Sequence, residues 1–202
     1  MTIRFLLLLS IFSFYGQKSV EKVSEDRQKH IPDIVYHRNQ VFYNSKESVW
    51  INTSDSSVVS GFVIERYADG AIWKRFGLVD GRKQGPKHTY FPTGEQQFLE
   101  NYTDNHLNGE VKRWSLENGH QLIAHLSYKD GRLHGLQRKW YSTGELHKLM
   151  QINMGQESGL QQAFRKNGAL YANYEAKNGR IFGLKRSNLC YQLKNEELVY
   201  AQ

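Results

Sequence analysis

The chain has 202 residues, 27 Lys and Arg against 20 Asp and Glu, and a formal net charge of +7. This length allows one or two domains, and an apolar fraction of 39% with 13% aromatics supplies enough material for packed structure. Cys190 is the one cysteine, so an intramolecular disulfide is excluded, and 17 glycines against three prolines predict many tight turns.

The N-terminus has the pattern of a secretory signal peptide. Arg4 provides a short positive region, and residues 5–14 are apolar apart from two serines. That run has the length of a signal-peptide core and is shorter than the about 20 residues that span a bilayer. We expect residues 1–16 to form a signal-peptide helix, cleaved before Gln17, and the mature protein to be exported to the periplasm, the cell surface or the medium. An uncleaved N-terminal anchor is the alternative.

Two stretches separate this segment from the regular repeats. Residues 17–36 are polar and charged, and they predict a short flexible tether. Residues 37–60 hold a possible decayed copy of the repeat described next, because Phe42 and Tyr43 lie 24 residues before Arg66 and Tyr67. The β-repeat domain is therefore predicted to span residues 37–202.

From residue 61 onward the sequence repeats with a period of about 24 residues. Lead glycines recur at separations of 24, 24, 26, 24 and 24 residues. A second glycine follows each of the first five lead glycines, nine or ten residues later. A third glycine lies four residues before the lead glycine in later copies, and Asn105 takes its place before Gly109. Asn is the usual substitute for Gly where φ must be positive. The predicted repeat glycines are Gly61, Gly70, Gly81, Gly85, Gly94, Gly109, Gly119, Gly131, Gly135, Gly144, Gly155, Gly159, Gly168, Gly179 and Gly183.

Each repeat has the pattern of two strands joined by a glycine turn. DG, NG and TG pairs between alternating runs are hairpin signals. The prediction is an all-β fold, an elongated antiparallel β-meander of about 12 strands that extends nearly 60 Å at about 4.8 Å per strand. The repeats lie near 61–84, 85–108, 109–134, 135–158 and 159–182, with a terminal cap at 183–202.

The side-chain pattern within the repeats makes two further predictions. Phe76 and Leu78 are two residues apart, like their counterparts in later copies, and therefore share a face. We expect one sheet face to be apolar and aromatic and the other to carry Lys, Arg, Glu, Gln and Asn. Repeat 109–134 has one extra residue in each half, which predicts paired bulges.

The repeat pattern resembles that of MORN-type repeat proteins. The matching residues in one copy are Gly135, Trp140, Tyr141, Gly144, Leu146 and Gly155. The similarity is closer to the bacterial variant found in YwqK-family antitoxins of toxin–antitoxin systems, and it covers roughly residues 36–190. The resemblance implies a repeat β-sheet without catalytic machinery, which binds proteins or membrane surfaces. The antitoxin label implies a protein partner inside the cell.

Catalytic and cofactor sites are not indicated by the sequence. Ser142 and Ser158 are turn residues, and no nucleophile elbow is present. The eight histidines show no zinc-ligand spacing, and no second cysteine is available. The glycine stretches 81–85 and 131–135 lead into strands rather than helices, so they are read as turns and not as phosphate loops. We therefore expect a non-enzymatic protein with no cofactor and no metal.

Basic and aromatic side chains recur in the first strand of each repeat and provide the candidate interaction site. If one sheet face stays uncovered, exposed rings on it are expected to mark a contact surface. The alternative is that these rings pack on their cross-strand neighbours. The candidate residues are Tyr90, Trp114, Trp140, Tyr141, Phe164, Arg138 and Lys139.

Three functional hypotheses follow from these features. The first is an exported interaction module that binds an unknown protein partner through its extended sheet face. The second is peripheral binding to an anionic membrane surface through the basic residues. The third is a cytoplasmic antitoxin, which requires that the N-terminus not act as a signal. Nucleic acid is not favoured as a partner, because an exported protein rarely meets it.

Overall fold

The computed structural model describes residues 29–185 and two further strands, Tyr191–Lys194 and Glu197–Tyr200. The predicted signal peptide, residues 1–16, and residues 17–28 of the predicted tether lie outside the described residues. The strands are β1 Val35–His37, β2 Val41–Asn44, β3 Val49–Asn52, β4 Gly61–Arg66, β5 Ile72–Val79, β6 Arg82–Tyr90, β7 Gln96–Thr103, β8 His106–Ser115, β9 Gln121–Lys129, β10 Arg132–Leu133, β11 Gly135–Trp140, β12 Leu146–Asn153, β13 Gln156–Phe164, β14 Leu170–Lys177, β15 Arg180–Leu184, β16 Tyr191–Lys194 and β17 Glu197–Tyr200.

One long open sheet dominates the fold. It has 13 strands. After β1, the strands β4 to β9 and β11 to β15 follow each other in chain order, and the short β10 pairs only with β9. Neighbours along this path are antiparallel, except that β1 adds parallel to β4 at one end. The predicted all-β antiparallel meander is therefore confirmed, with two strands in each repeat.

The turns between repeats are tight and left-handed. Asp80 and Gly81 both have positive φ, as type I′ hairpin turns require. The same holds for Asp104 with Asn105, Asp130 with Gly131, Met154 with Gly155, and Asn178 with Gly179. Asn105 thus has the backbone conformation that its place in the glycine series predicted. All 15 predicted repeat glycines have positive φ.

The turns within repeats are longer and carry a bulge on the first strand. In the fourth repeat the Gly144 N–H donates to the Tyr141 carbonyl at 3.0 Å, and the Tyr141 N–H donates to the Glu145 carbonyl at 2.9 Å. The ladder shifts register between Lys139 and Trp140, just before this turn. The same shift recurs in the other four repeats.

Repeat 109–134 corrects one prediction. Its two extra residues do not form paired bulges of their own. The hairpin β8–β9 has the same bulge as its neighbours, between Arg113 and Trp114, and then adds one more pair, Ser115 with Gln121. The extra residue in each strand lengthens the hairpin and leaves the ladder otherwise unchanged.

The N-terminal part of the described chain covers the first repeat on both sides. The predicted decayed copy, residues 37–60, contains the hairpin β2–β3. This hairpin forms a separate two-stranded sheet and is not part of the meander. Trp50 packs on Phe76 with ring centroids 5.3 Å apart. Together with Val41, Val59, Val63 and Leu78, these two residues form the main buried cluster.

The opposite side of the first repeat is covered by residues before β1. The Ile31 side chain lies so close to Gly77 that a Cβ there would be 2.4 Å from Ile31 Cδ1. The predicted tether extended to residue 36, but β1 already begins at Val35 and pairs with β4. Parallel pairing with a distant strand leaves no local sequence signal, which explains this difference.

We call the side of the sheet under the β2–β3 hairpin the front face and the other side the back face. Cross-strand partners point to the same face. One front-face row therefore runs through Glu65, Lys74, Thr89, Phe98, Arg113, Ala124, Lys139, Lys148, Ala163 and Ala172. The corresponding back-face row contains Ile64, Arg75, His88, Leu99, Lys112, His125, Arg138, Leu149, Gln162, Asn173 and Leu184.

The predicted apolar face corresponds to the front face, where Phe76, Leu78, Leu126 and Met150 lie. The front-face row listed above departs from the prediction, because it mixes charged and apolar side chains. The sheet is a single layer there, so burial does not exclude charged side chains from this row. In the described residues after repeat 61–84, the buried apolar side chains are Ile152 and three alanines, Ala163, Ala172 and Ala176.

Candidate functional site

The front face of the central strands carries uncompensated positive charge. In the first repeat Lys74 lies 3.2 Å from Glu65 on the adjacent strand, and in the second Lys87 lies 2.6 Å from Glu100. In the fourth repeat the residues at the positions of Glu65 and Lys74 are Lys139 and Lys148, which are directly opposite each other. The acidic partner present in the first repeat is thus replaced by a second cation.

Arg113 extends this positive row across the neighbouring repeat. It pairs with Ala124, and Ala124 pairs in turn with Lys139. The Arg113 guanidinium lies 5.5 Å from the centre of the Phe98 ring, a cation–π distance. Among the described residues, no carboxylate oxygen lies within 4.0 Å of a side-chain nitrogen of Arg113, Lys139 or Lys148.

The small side chain of Ala124 leaves a depression between Arg113 and Lys139. Its volume is about 310 Å³. The lining is apolar except for these two cations and consists of Phe98, Val111, Ile123, Ala124 and Leu126. A depression with an apolar floor and two cationic walls can accept an apolar group that is joined to an anionic one.

A second depression lies further along the same face. It has a volume of about 350 Å³ and is lined in part by Met150, Ala163, Ala172 and Tyr174. The Tyr174 hydroxyl donates to Glu157 Oε1 at 2.8 Å. Burial and this hydrogen bond raise the pKa of Tyr174 to about 12, so the hydroxyl stays protonated at neutral pH. The face is therefore concave at both places, and the second depression combines apolar surface with the ammonium group of Lys148.

The back face of the same strands is electrostatically compensated in part. Glu110 lies 2.7 Å from Lys112 and 3.1 Å from His125. The hydrogen bond from Lys112, with that from His125, lowers the pKa of the Glu110 carboxyl. On the back face Lys112 thus has an acidic neighbour, whereas no carboxylate lies within 4.0 Å of Arg138 there or of Arg113, Lys139 and Lys148 on the front face, among the described residues.

Most of the predicted aromatic residues lie at the bulges beside the hairpin turns. Tyr90, Trp114, Trp140 and Phe164 are each half-buried at this place. Their row runs along one edge of the sheet and does not form a separate apolar patch in the middle of a face.

Several of these rings contact neighbours in the same or the adjoining repeat. Tyr90 stacks on His88 with centroids 6.1 Å apart, and Trp114 stacks on His120 at 5.9 Å. The Tyr141 hydroxyl donates to the Phe164 carbonyl at 3.0 Å. The Trp114–His120 stack joins the two sides of one hairpin, whereas Tyr90 and His88 lie on the same strand.

The predicted basic pair separates between the two faces. Arg138 lies on the back face opposite His125, and Lys139 lies on the front face opposite Ala124. Sequence reasoning missed Arg113, Ala124 and Lys148 as members of the site. The available signal was the pair of repeat positions that holds Glu65 and Lys74 in the first copy and two lysines in the fourth.

The described part of the chain lacks two other features. It contains no cluster of three or more His, Cys, Asp or Glu side chains placed to hold a metal ion. It also contains no helix that is long and apolar enough to cross a bilayer. Compared with models of known protein families, the chain matches none, and a search of curated proteins also gives no match.

Proposed function

We propose that the protein is a non-enzymatic interaction module that binds a protein partner through the front face of its repeat sheet. The observation that supports this most is the difference between the first repeat and the later ones. Residues 41–59 cover the front face of the first repeat, where Val63 and Leu78 are fully buried. Beyond it the same face is a single layer with half-exposed apolar residues such as Leu126 and Met150.

The chain itself leaves apolar surface uncovered on this face. Contiguous half-exposed apolar groups on a soluble protein typically mark contact surfaces. Such groups alternate here with donors and cations, as in the interfaces of partners that also exist apart. The front face offers both depressions described above, whereas the turn edge carries rings that already contact one another.

The location of this activity is a separate part of the proposal. The N-terminal pattern favours export, so the partner is expected in the cell envelope or the medium. Fractionation followed by N-terminal sequencing tests this. Mature protein that begins near Gln17 outside the cytoplasm supports an exported module and rules out a cytoplasmic antitoxin, while cytoplasmic protein that begins at Met1 supports the antitoxin.

The experiment for the binding function is affinity capture with the full-length chain, tagged at its C-terminus and produced in its own host. Leu126→Glu places a charge on the front face, and Leu149→Glu places the same charge on the back face of the neighbouring hairpin. We expect a reproducible partner with the wild type and with Leu149→Glu, and its loss with Leu126→Glu. Circular dichroism confirms that both variants fold. Absence of any wild-type partner in cytoplasmic, envelope and medium fractions contradicts the function.

A further inference from the structure

We infer that Arg113, Lys139 and Lys148, named here the basic row, bind the carboxylate side chains of an extended acidic segment in the partner protein. This inference rests on the proposed function and adds the chemistry of the partner and the place where it binds. The three cations lie on one face of strands β8, β11 and β12, with Ala124 of β9 between the first two.

The first step is the electrostatic conflict within the sheet. Lys139 and Lys148 are directly opposite each other, and like charges at such positions destabilise a sheet. The protein places a Glu–Lys pair at the same positions of its first repeat, where the atoms are 3.2 Å apart. A neutralising residue at this place is thus compatible with the fold, and the two lysines retain a repulsion that a bound carboxylate would remove.

The second step is that uncompensated charge is concentrated on the front face of these strands. Arg113 and Lys139 each have a basic neighbour in sequence, Lys112 and Arg138, on the back face. On that face Glu110 contacts Lys112 at 2.7 Å, and Arg138 has no carboxylate within 4.0 Å among the described residues. The three cations of the basic row thus compare with one such cation on the back, and an anionic partner is attracted mainly to the front of the sheet.

The third step is the shape of the site. Arg113 and Lys148 are three strand spacings apart, about 14 Å at about 4.8 Å per strand. An extended chain rises about 3.4 Å per residue, so side chains at alternate positions are about 7 Å apart and can reach successive cations. The depression of about 310 Å³ between Arg113 and Lys139, with Leu126 and Val111 in its lining, can accept an apolar side chain that lies two residues from an acidic one, on the same side of the extended chain.

The same features favour a protein segment over a lipid surface. Recruitment to an anionic membrane typically takes a cluster of about four to eight Lys or Arg residues. The basic row has three cations, and two of them line a depression with an apolar floor. This arrangement suits a narrow chain that presents acidic and apolar side chains on the same side.

The test uses fluorescence anisotropy with the full-length chain and a labelled peptide in which pairs of glutamates alternate with pairs of valines, which places both kinds of side chain on each side of the extended peptide. A lysine–valine peptide and vesicles of phosphatidylglycerol serve as the other probes. Lys139→Glu is the front-face variant, and Arg138→Glu is the matched control with the same charge change on the adjacent residue. We expect Lys139→Glu to weaken binding of the glutamate peptide about tenfold or more and Arg138→Glu to weaken it less than about twofold.

Lys148→Glu separates binding from folding. It places a carboxylate opposite Lys139, as in the first repeat, so Tm should rise by about 1–3 °C while peptide binding weakens about tenfold. Equal losses in Lys139→Glu and Arg138→Glu, or tighter binding of vesicles than of peptide, would overturn the inference. No glutamate-peptide binding by the wild type also overturns it, even if affinity capture through the front face still recovers a partner.

Discussion

At the residue scale, the turns between repeats show which positions the backbone conformation restricts. The first turn residue has a φ between 46° and 52° in all five turns. Asp or Asn occupies four of these positions, and both tolerate the left-handed region because their short side chains bond locally. Met154 occupies the fifth, with a φ of 47°. Its side chain is 37% exposed, so packing contributes little to offset the strain.

We therefore predict that Met154→Asn stabilises the protein. The gain in free energy of unfolding should be about 0.5–1 kcal/mol, because the substitution relieves left-handed strain at an exposed turn. Urea denaturation followed by circular dichroism measures it. Met154→Ala is the control, since it removes the same side chain and keeps the strain; a gain of equal size in this variant would show that strain is not the cause.

His88 gives a pH-dependent contribution to stability. Its Nδ1 is 3.2 Å from Gln96 Nε2, which acts as the donor to a neutral imidazole. Burial lowers the pKa of His88 from its ordinary value of 6.5, and the nearby Arg75 lowers it further. At pH values below 6.5, His88 therefore binds more protons in the unfolded chain than in the folded protein. Its contribution to stability is lost as the pH falls through this window.

The corresponding prediction concerns His88→Gln, which keeps a hydrogen-bond acceptor and does not titrate. The decrease in Tm between neutral pH and about pH 5 should be smaller in this variant than in the wild type. Thermal unfolding over a pH series measures the difference. His30→Gln, which changes an exposed histidine, is the control, and an identical pH profile for His88→Gln and the wild type would exclude this role.

At the element scale, the joins between hairpins depend on side chains that replace missing ladder bonds. On the side of β9 that faces β10 and β11, Tyr128 pairs with Leu133 and His125 pairs with Arg138. Ser127 lies between these pairs without a ladder partner on that side, and the side chain of Gln137 bonds to it instead. Gln137 Oε1 accepts from the Ser127 N–H at 3.0 Å, and its Nε2 donates to the Ser127 carbonyl at 3.1 Å. The side-chain amide thus completes the sheet at a fully buried position.

Replacement of this amide should be costly although the new side chain is apolar. Gln137→Leu removes the acceptor of the Ser127 N–H, while the Ser127 carbonyl keeps the His134 N–H at 2.9 Å. We expect a loss of about 1–3 kcal/mol in the free energy of unfolding, measured by urea denaturation. Gln161→Leu is the comparison, because Gln161 donates to the Gln151 carbonyl but its Oε1 has no partner in the described structure. A loss at Gln137 no larger than that at Gln161 would show that the amide contacts matter little.

Some features of these elements could be predicted from the sequence, and others could not. Turn positions were predictable, since Asp–Gly and Asn–Gly pairs report a local backbone requirement. The N-terminal cover was not, because β1 pairs with the distant β4 and Trp50 packs on Phe76 without any period. The basic row was predicted only at Lys139. Its other members depend on the register between hairpins, and the small shifts there decide which side chains become neighbours.

At the scale of the whole molecule, the buried cluster lies at one end of an extended single-layer sheet. Stability in such an arrangement comes from contacts between neighbouring repeats. The first repeat adds a covered core in which Val63 and Leu78 are fully buried and Trp50 is 9% exposed. The later repeats contribute their ladders and a few buried small side chains.

This distribution predicts unequal effects of two tryptophan substitutions. Trp50→Ala should lower the free energy of unfolding by about 3–5 kcal/mol, because it leaves a cavity between the hairpin and the sheet. Trp140→Ala, at a half-buried site by a turn, should cost less than half as much. Chemical denaturation of the two variants measures this, and equal costs would argue against a core concentrated at the N-terminal end.

The central claim is that the front face of the later repeats is the surface that a protein partner covers. Met150 and Leu149 are adjacent residues of β12 on opposite faces, since they pair with Gln137 and Arg138 respectively. A photocrosslinking amino acid placed at each position of the full-length chain in living cells tests the claim directly. We predict a discrete protein adduct from position 150 and none from position 149. An adduct from position 149 alone, equal adducts from both, or none from either would contradict it.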